Sequence, residues 1–279
     1  MDTKQVQMLE LAGRVQYITI NNVFQAGIFT TPSQTTARRY IKDLVNFGLL
    51  DKRSHGVSRV GGKLPTLYTL TPKAKTYLVN SENNNPEEIK IGKSNKNQTY
   101  ETETLSDYWH RTGLVDSVLS ILLYLDQQGI KEDVLELYFR RFGIHEPKRT
   151  ALILEDETRL EPDAILSFKV DGKPKIYLIE FYEDSDRLER IKKSMFRHAE
   201  ALGNATPSTA LNIPNTAHKI LMIFRYEHTA RAIMEWLHTT EYFEEIQDYF
   251  LFKTLDSVLL EPFDHWALPN KRKTTLYKK

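Results

Sequence analysis

Apolar positions recur at helical spacing through the first third of the chain. Val6, Leu9, Leu11 and Ala12 predict one helix, and Ile20, Val23, Phe24 and Ile28 a second. Thr31-Pro32-Ser33 offers cap and first-turn chemistry for a third helix, from about Gln34 to Phe47 and ended by Gly48. Ala37, Ile41, Leu44 and Val45 give that helix an inward face, and Gln34, Arg38, Arg39 and Lys42 lie opposite. Leu49-Leu50-Asp51-Lys52-Arg53 then predicts a strand. A basic, glycine-bearing loop from Arg53 through Arg59 to Lys63 leads to a returning strand, Thr66 to Leu70, and Thr71-Pro72-Lys73 opens another helix. Residues 81–104 lose all periodicity; their Asn-rich, polar composition predicts a linker or mobile loop.

Periodicity resumes at Leu105. From there to Gln127 the chain predicts a long amphipathic helix, with Leu114, Val118, Ile121, Leu122 and Leu125 on one face and Gly129 beyond its end. Two short apolar runs follow, Leu160 to Phe168 and Ile176 to Tyr182, on either side of Asp171-Gly172-Lys173-Pro174. The Asp-Gly step is a strong hairpin signal. A charged helix, Ser185 to Leu202, carries Leu188, Ile191, Met195 and Ala199 inward. Lys219 to Phe224 is apolar on consecutive residues, as in a strand covered on both faces. A helix from about His228 to His238, a strand from Tyr249 to Leu255 and a polar tail complete the chain. The expected fold is α/β (α+β): a winged helix-turn-helix over 1–80, a polar linker over 81–104, and a mixed sheet flanked by helices over 105–279.

A length of 279 residues suits two domains. The chain has no cysteine, which excludes disulfides and thiolate metal sites. It shows no secretory leader and no apolar run of membrane-spanning length, so a cytoplasmic location is expected. The net charge of +1 conceals an asymmetry. Residues 1–80 carry 11 Lys and Arg against 4 Asp and Glu, and the remainder 27 against 33. A basic N-terminal part points to double-stranded DNA, with Gln34, Arg38, Arg39 and Lys42 in the major groove and Arg53, Arg59 and Lys63 on the wing. A winged helix can also dock protein.

The hairpin gives the second part its chemistry. Antiparallel pairing of its strands brings Asp163, at the start of one, beside Glu180, near the end of the next. Converging carboxylates suit a hard cation, Mg²⁺ or Mn²⁺, which the Phe181 carbonyl would join in holding. The alternative is that Asp163 caps a turn and Glu180 is a solvated edge residue. His198, His218, His228 and His238 are scattered without metal-ligand spacing. Tyr182 is read as packing or substrate contact, with a role as covalent nucleophile as the alternative. His110 is either a phosphate contact or structural. Asp116 is either an outer carboxylate of the metal site or an exposed helix charge. His265-Trp266 is read as an anchoring aromatic, and the basic run Lys271-Arg272-Lys273 to Lys278-Lys279 as a solvated tail, with contact to DNA as the alternative.

The acidic pair, in this element order, resembles the PD-(D/E)xK nuclease-like fold. Pro162-Asp163 and Glu180 match its metal-binding positions, while Tyr182 stands where the motif has lysine. In several branches of that fold the lysine lies on the following helix, where this chain has Lys192 and Lys193. Of these, Lys192 shares the face of Leu188. The chain also resembles the replication-relaxation family, which includes MobC-type plasmid mobilisation relaxases. That resemblance rests on the winged helix, Tyr108-Trp109-His110-Arg111 with Val115-Asp116 opening a helix, Pro162-Asp163-Ala164 and the Glu180 strand. It implies a metal-dependent nickase acting on double-stranded DNA at the transfer origin of a mobile element, with other mobilisation proteins as partners. A non-catalytic DNA-binding accessory and a dimeric double-strand endonuclease are the alternatives.

Overall fold

The structure, a computed structural model, describes residues 1–29, 34–54, 57–58, 62–82, 84–91, 105–137, 150–183, 186–213 and 216–277. The chain divides into two compact units, Met1–Leu119 and Ser120–Lys279.

The first unit opens with helices α1 (Thr3–Val15), α2 (Ile20–Gln25) and α3 (Gln34–Asn46). Capping boxes start two of them: Asp2 with Gln5 for α1, and Thr19 with Asn22 for α2. Ala37, Ile41 and Leu44 of α3 are buried, whereas Gln34, Arg38, Arg39 and Lys42 are exposed, as the spacing predicts. Strands β1 (Leu50–Arg53), β2 (Val57–Ser58), β3 (Gly62–Lys63) and β4 (Leu67–Leu70) follow, then α4 (Pro72–Glu82). β1 pairs antiparallel with β4 and β2 with β3, while Ile18 bridges to Tyr68. Thr71 caps α4 by accepting from the Ala74 N–H at 3.2 Å, and its hydroxyl donates to the Gly48 carbonyl at 2.8 Å. Thr31 to Ser33, expected to cap α3, and Arg59 lie outside the described residues.

Part of the segment read as a linker is packed. Ile89 and Lys90 are buried, and the Lys90 N–H donates to the Gly13 carbonyl at 2.8 Å. A side chain at Gly13 would lie 3.2 Å from Leu70 and 3.4 Å from Ile89, so glycine there permits the close approach. Helix α5 (Leu105–Gln127) matches its expected bounds, and the boundary between the units falls within it. Its burial is broader than one face: Val115, Leu119, Ser117 and Ser120 are buried beside the expected Leu114, Val118, Ile121, Leu122 and Leu125. His110 and Val115-Asp116 accordingly lie inside the helix rather than at its start.

In the second unit, β5 (Glu132–Leu137), β6 (Leu152–Ile153), β7 (Arg159–Leu160), β8 (Ala164–Val170) and β9 (Lys173–Tyr182) lead to α6 (Leu188–Gly203) and α7 (Thr206–Ala210). β10 (His218–Phe224), α8 (Glu227–Leu237), α9 (Phe243–Ile246), β11 (Phe250–Thr254), α10 (Leu255–Leu260), β12 (Trp266–Ala267) and β13 (Lys273–Thr274) complete it. The main sheet is mixed, in the order β13-β12-β11-β10-β9-β8-β5, with β9, β10 and β11 parallel. Asp171 and Gly172 take φ of 50° and 73° between Val170 and Lys173, the two-residue turn that their sequence predicts. Residues 220–224 are fully buried. Trp266 is buried, in keeping with its reading as an anchoring aromatic, but the tail read as polar and solvated folds back: β12 and β13 extend the sheet, and the Leu276 carbonyl accepts from the Tyr177 hydroxyl at 2.5 Å.

Candidate metal centre and nucleic-acid face

The hairpin register sets the acidic pair. Ala164, the first residue of β8, faces Ile179 on β9, and one further step of that register would set Asp163, just ahead of β8, against Glu180. Opposed residues of an antiparallel pair share a face with Cβ atoms about 5 Å apart. Asp163 Oδ2 accepts the Phe181 N–H at 2.8 Å, which fixes the carboxylate against the end of β9. Pro162, buried ahead of it, has no N–H to offer the sheet and separates β7 from β8.

Glu180 is held from above by α6. Its Oε1 lies 2.7 Å from His198 Nε2 and 3.4 Å from the Ser194 hydroxyl, and the residue is only 7% exposed. His198 is wholly buried, and burial pushes its pKa down to about 3, against the opposing pull of the Asp163 carboxylate. The ring is therefore neutral near pH 7, and the carboxylate at Nε2 fixes the proton there, so Nε2–H donates to Glu180. His198 Nδ1 has no hydrogen-bond partner, and a buried acceptor left so costs about 1–3 kcal/mol. The charge-assisted bond to Glu180, worth about 1.5–3 kcal/mol, offsets that.

Two expectations about α6 fail. Leu188 is 41% exposed, so the buried stripe is Ile191, Met195, His198 and Ala201, and Lys192 does not share it. Lys192 pairs with Glu189 at 2.7 Å and lies 5.4 Å from the Trp236 ring centroid, while Lys193 is exposed. The side chains that α6 brings to Glu180 are Ser194 and His198. Tyr182 is likewise ill placed as a nucleophile. It is 5% exposed and stacks on Phe224 at 5.3 Å. Burial, reinforced by Glu180, holds its pKa well above the usual tyrosine value. Its hydroxyl has Ser194 as a near neighbour but no partner at hydrogen-bond geometry. Asp116 belongs to the first unit, where it accepts from Asn22 Nδ2 at 2.6 Å.

In the first unit the cations of α3 stay at the surface. Arg38 reaches Gln34 at 3.1 Å along α3, and Arg39 lies over Tyr40. Arg53 is half-buried over the Tyr17 ring at 5.6 Å, Lys63 is exposed on β3, and His110 is half-buried in α5.

No group of three His, Asp or Glu side chains placed to hold a metal occurs among the described residues. Nor is any described helix long and apolar enough to cross a membrane. The sequence matches no family model and no curated protein. Among solved structures it is similar to that of the restriction endonuclease FokI bound to DNA, with 11% sequence identity and a TM-score of 0.31. That likeness covers 92% of this chain and 43% of the other, and at such depth it identifies neither a fold nor a function.

Proposed function

We propose that this protein is a metal-dependent DNA nickase or relaxase that acts at the transfer origin of a plasmid or other mobile element. The observation that carries the reading is the Asp163 carboxylate bound to the Phe181 N–H at 2.8 Å, next to Glu180 at the end of β9. The donor set fits Mg²⁺ or Mn²⁺. Both are hard cations, and Mg²⁺ in particular is satisfied by one or two carboxylates with water and substrate phosphate completing its shell. Asp163, Glu180 and the Phe181 carbonyl would hold the ion, which supplies Lewis-acid polarisation of a phosphodiester and a bound water of lowered pKa. His198 and Ser194 orient Glu180, and neutral His198 adds no positive charge to compete with the cation.

The first unit supports DNA binding by a winged-helix arrangement. The exposed cations Arg38, Arg39 and Lys42 on α3, with Lys63 on β3, support that reading, since a groove-binding helix needs positive charge on its outer face. A second reading, a DNA-binding accessory without cleavage, draws on one observation: neither Lys192 nor Lys193 engages the acidic pair. Incubating supercoiled plasmid carrying the cognate element with protein and Mn²⁺ separates these readings. Open-circle product supports a nickase, and linear product a double-strand endonuclease. Binding without cleavage favours the accessory.

A further inference from the structure

A cavity of about 410 Å³ opens where β9 and β10 begin, lined by Lys173, Lys175, Tyr177, Thr216, Lys219 and Leu276 among others. Lys173, Lys175 and Tyr177 alternate along β9 and so leave one face of the sheet. Lys219 is in register with Tyr177 on the neighbouring parallel strand and leaves the same face. Three lysines thus line one concavity, and the charges of Lys175 and Lys219 act on each other there. Glu180 leaves the opposite face, five residues and about 17 Å farther along β9. The cavity is therefore separate from the acidic pair and does not depend on its reading.

These lysines lack the counter-ions that neighbouring cations have. Lys169 on β8 pairs with Asp133 at 3.8 Å, whereas among the described residues none of the three cavity lysines has an ion pair. Asp248 is the carboxylate that acts on Lys219, and it is held by Arg272 at 2.8 Å. Burial and the nearby Lys175 charge both lower the pKa of Lys219. Positive charge concentrated in a partly desolvated pocket draws an anion. A cavity this size suits a compact, multiply charged group, and lysine binds phosphate oxygens as a point charge.

We propose that this cavity is a binding site for a phosphate-bearing ligand, held by Lys173, Lys175 and Lys219. The ligand is a free di- or triphosphate, or a backbone phosphate of a nucleic-acid strand. Calorimetric titration of the full chain with metal-free pyrophosphate and with a short single-stranded oligonucleotide, at low ionic strength, tests it. Lys175→Met and Lys219→Met should each weaken binding about tenfold or more. Both variants should melt at or above the wild-type temperature without ligand, because like-charge repulsion is relieved. Lysine-dependent binding of pyrophosphate supports a free phosphate ligand. Lysine dependence seen with the oligonucleotide alone supports a nucleic-acid backbone. Equal binding of both probes by wild type and variants, or no binding of either, overturns the proposal.

Discussion

Helices α3 and α6 are both charged and amphipathic, but they use their faces in opposite ways. α3 sends only apolar side chains inward, Ala37, Ile41 and Leu44, and keeps its cations in solvent. α6 buries His198 in its apolar stripe, with one ring nitrogen on Glu180 and the other without a partner. A helix optimised for packing would not place an imidazole there. The difference teaches where each helix presents its chemistry: α3 toward whatever approaches from outside, α6 toward the sheet beneath it.

The largest effect should come from the carboxylates below α6. Asp163→Asn or Glu180→Gln should reduce Mn²⁺-dependent plasmid nicking at least about 10²-fold while DNA affinity stays unchanged. Glu180→Gln keeps an oxygen to accept from His198 Nε2–H, so its thermal unfolding should stay close to wild type. Undiminished nicking by either variant removes the acidic pair from the mechanism.

His198 should come next. His198→Met removes the donor to Glu180 and should lower Mn²⁺ affinity by about 10–100-fold, the usual scale for losing a group that orients a metal-binding carboxylate. His198→Gln restores an N–H within reach and should recover most of that loss. Titrating Mn²⁺ by electron paramagnetic resonance reads the effect without relying on turnover. Equal affinity in wild type and His198→Met would make the histidine a packing residue only.

α3 provides the contrasting test from its outer face. Arg38→Ala and Arg39→Ala should leave unfolding within about 0.5 kcal/mol of wild type, since both side chains are exposed. DNA binding should weaken by about 1–3 kcal/mol for each arginine that reaches a base edge, with relaxed sequence preference. A loss uniform across sequences makes them phosphate contacts, and no loss at all removes α3 as the DNA-reading helix.

His218, the other buried histidine among the described residues, adds to the acid response that His198 also gives. Burial, and the neighbouring His198, lower its pKa to about 3. The unfolded chain protonates this group below about pH 6.5, the folded chain only below about 3. Between those values the unfolded state holds the extra proton, so stability falls as pH drops, by about 1.4 kcal/mol per pH unit. His218→Leu should flatten that slope, gaining about 2 kcal/mol on wild type at about pH 5 relative to neutral pH. Urea unfolding at both pH values measures it, and parallel pH profiles would show that the ring is not held neutral.

The faces of α3 were legible in the sequence because its inward positions are all apolar. The hairpin was legible because Asp171-Gly172 specifies its turn, which in turn fixes the register that, one step ahead of β8, would set Asp163 against Glu180. α6 misled for the reason that makes it interesting. Counting only apolar residues put Leu188 on the buried stripe and left out His198, whose partner Glu180 lies 18 residues away on a strand. Helical spacing from Ile191 and Met195 does reach His198, so the signal was present but carried by a polar residue. The Glu132–Leu137 strand was missed because its acidic positions hide the alternation. Trp266 was legible as an anchoring aromatic, but the folded-back end of the tail was missed because its anchor Leu276 stands alone in a basic, polar stretch.

The smallest effects should come from the outer face of α6. Lys192 pairs with a largely exposed Glu189 and rests near the Trp236 ring, contacts worth little in water. Lys192→Ala and Lys193→Ala should therefore change stability by about 0.5 kcal/mol or less and leave nicking nearly unchanged. Tyr182→Phe should also nick normally, because ring stacking on Phe224 survives and the hydroxyl that is lost has no hydrogen-bond partner. A loss of about 10²-fold in Lys192→Ala would mean that DNA draws the ammonium away from Glu189 to the acidic pair. The two faces of α6 would then act together, and its contrast with α3 would hold only for the DNA-free protein. A dead Tyr182→Phe variant, with a covalent protein–DNA adduct trapped by wild type, would instead require the sheet to expose a ring that is now buried.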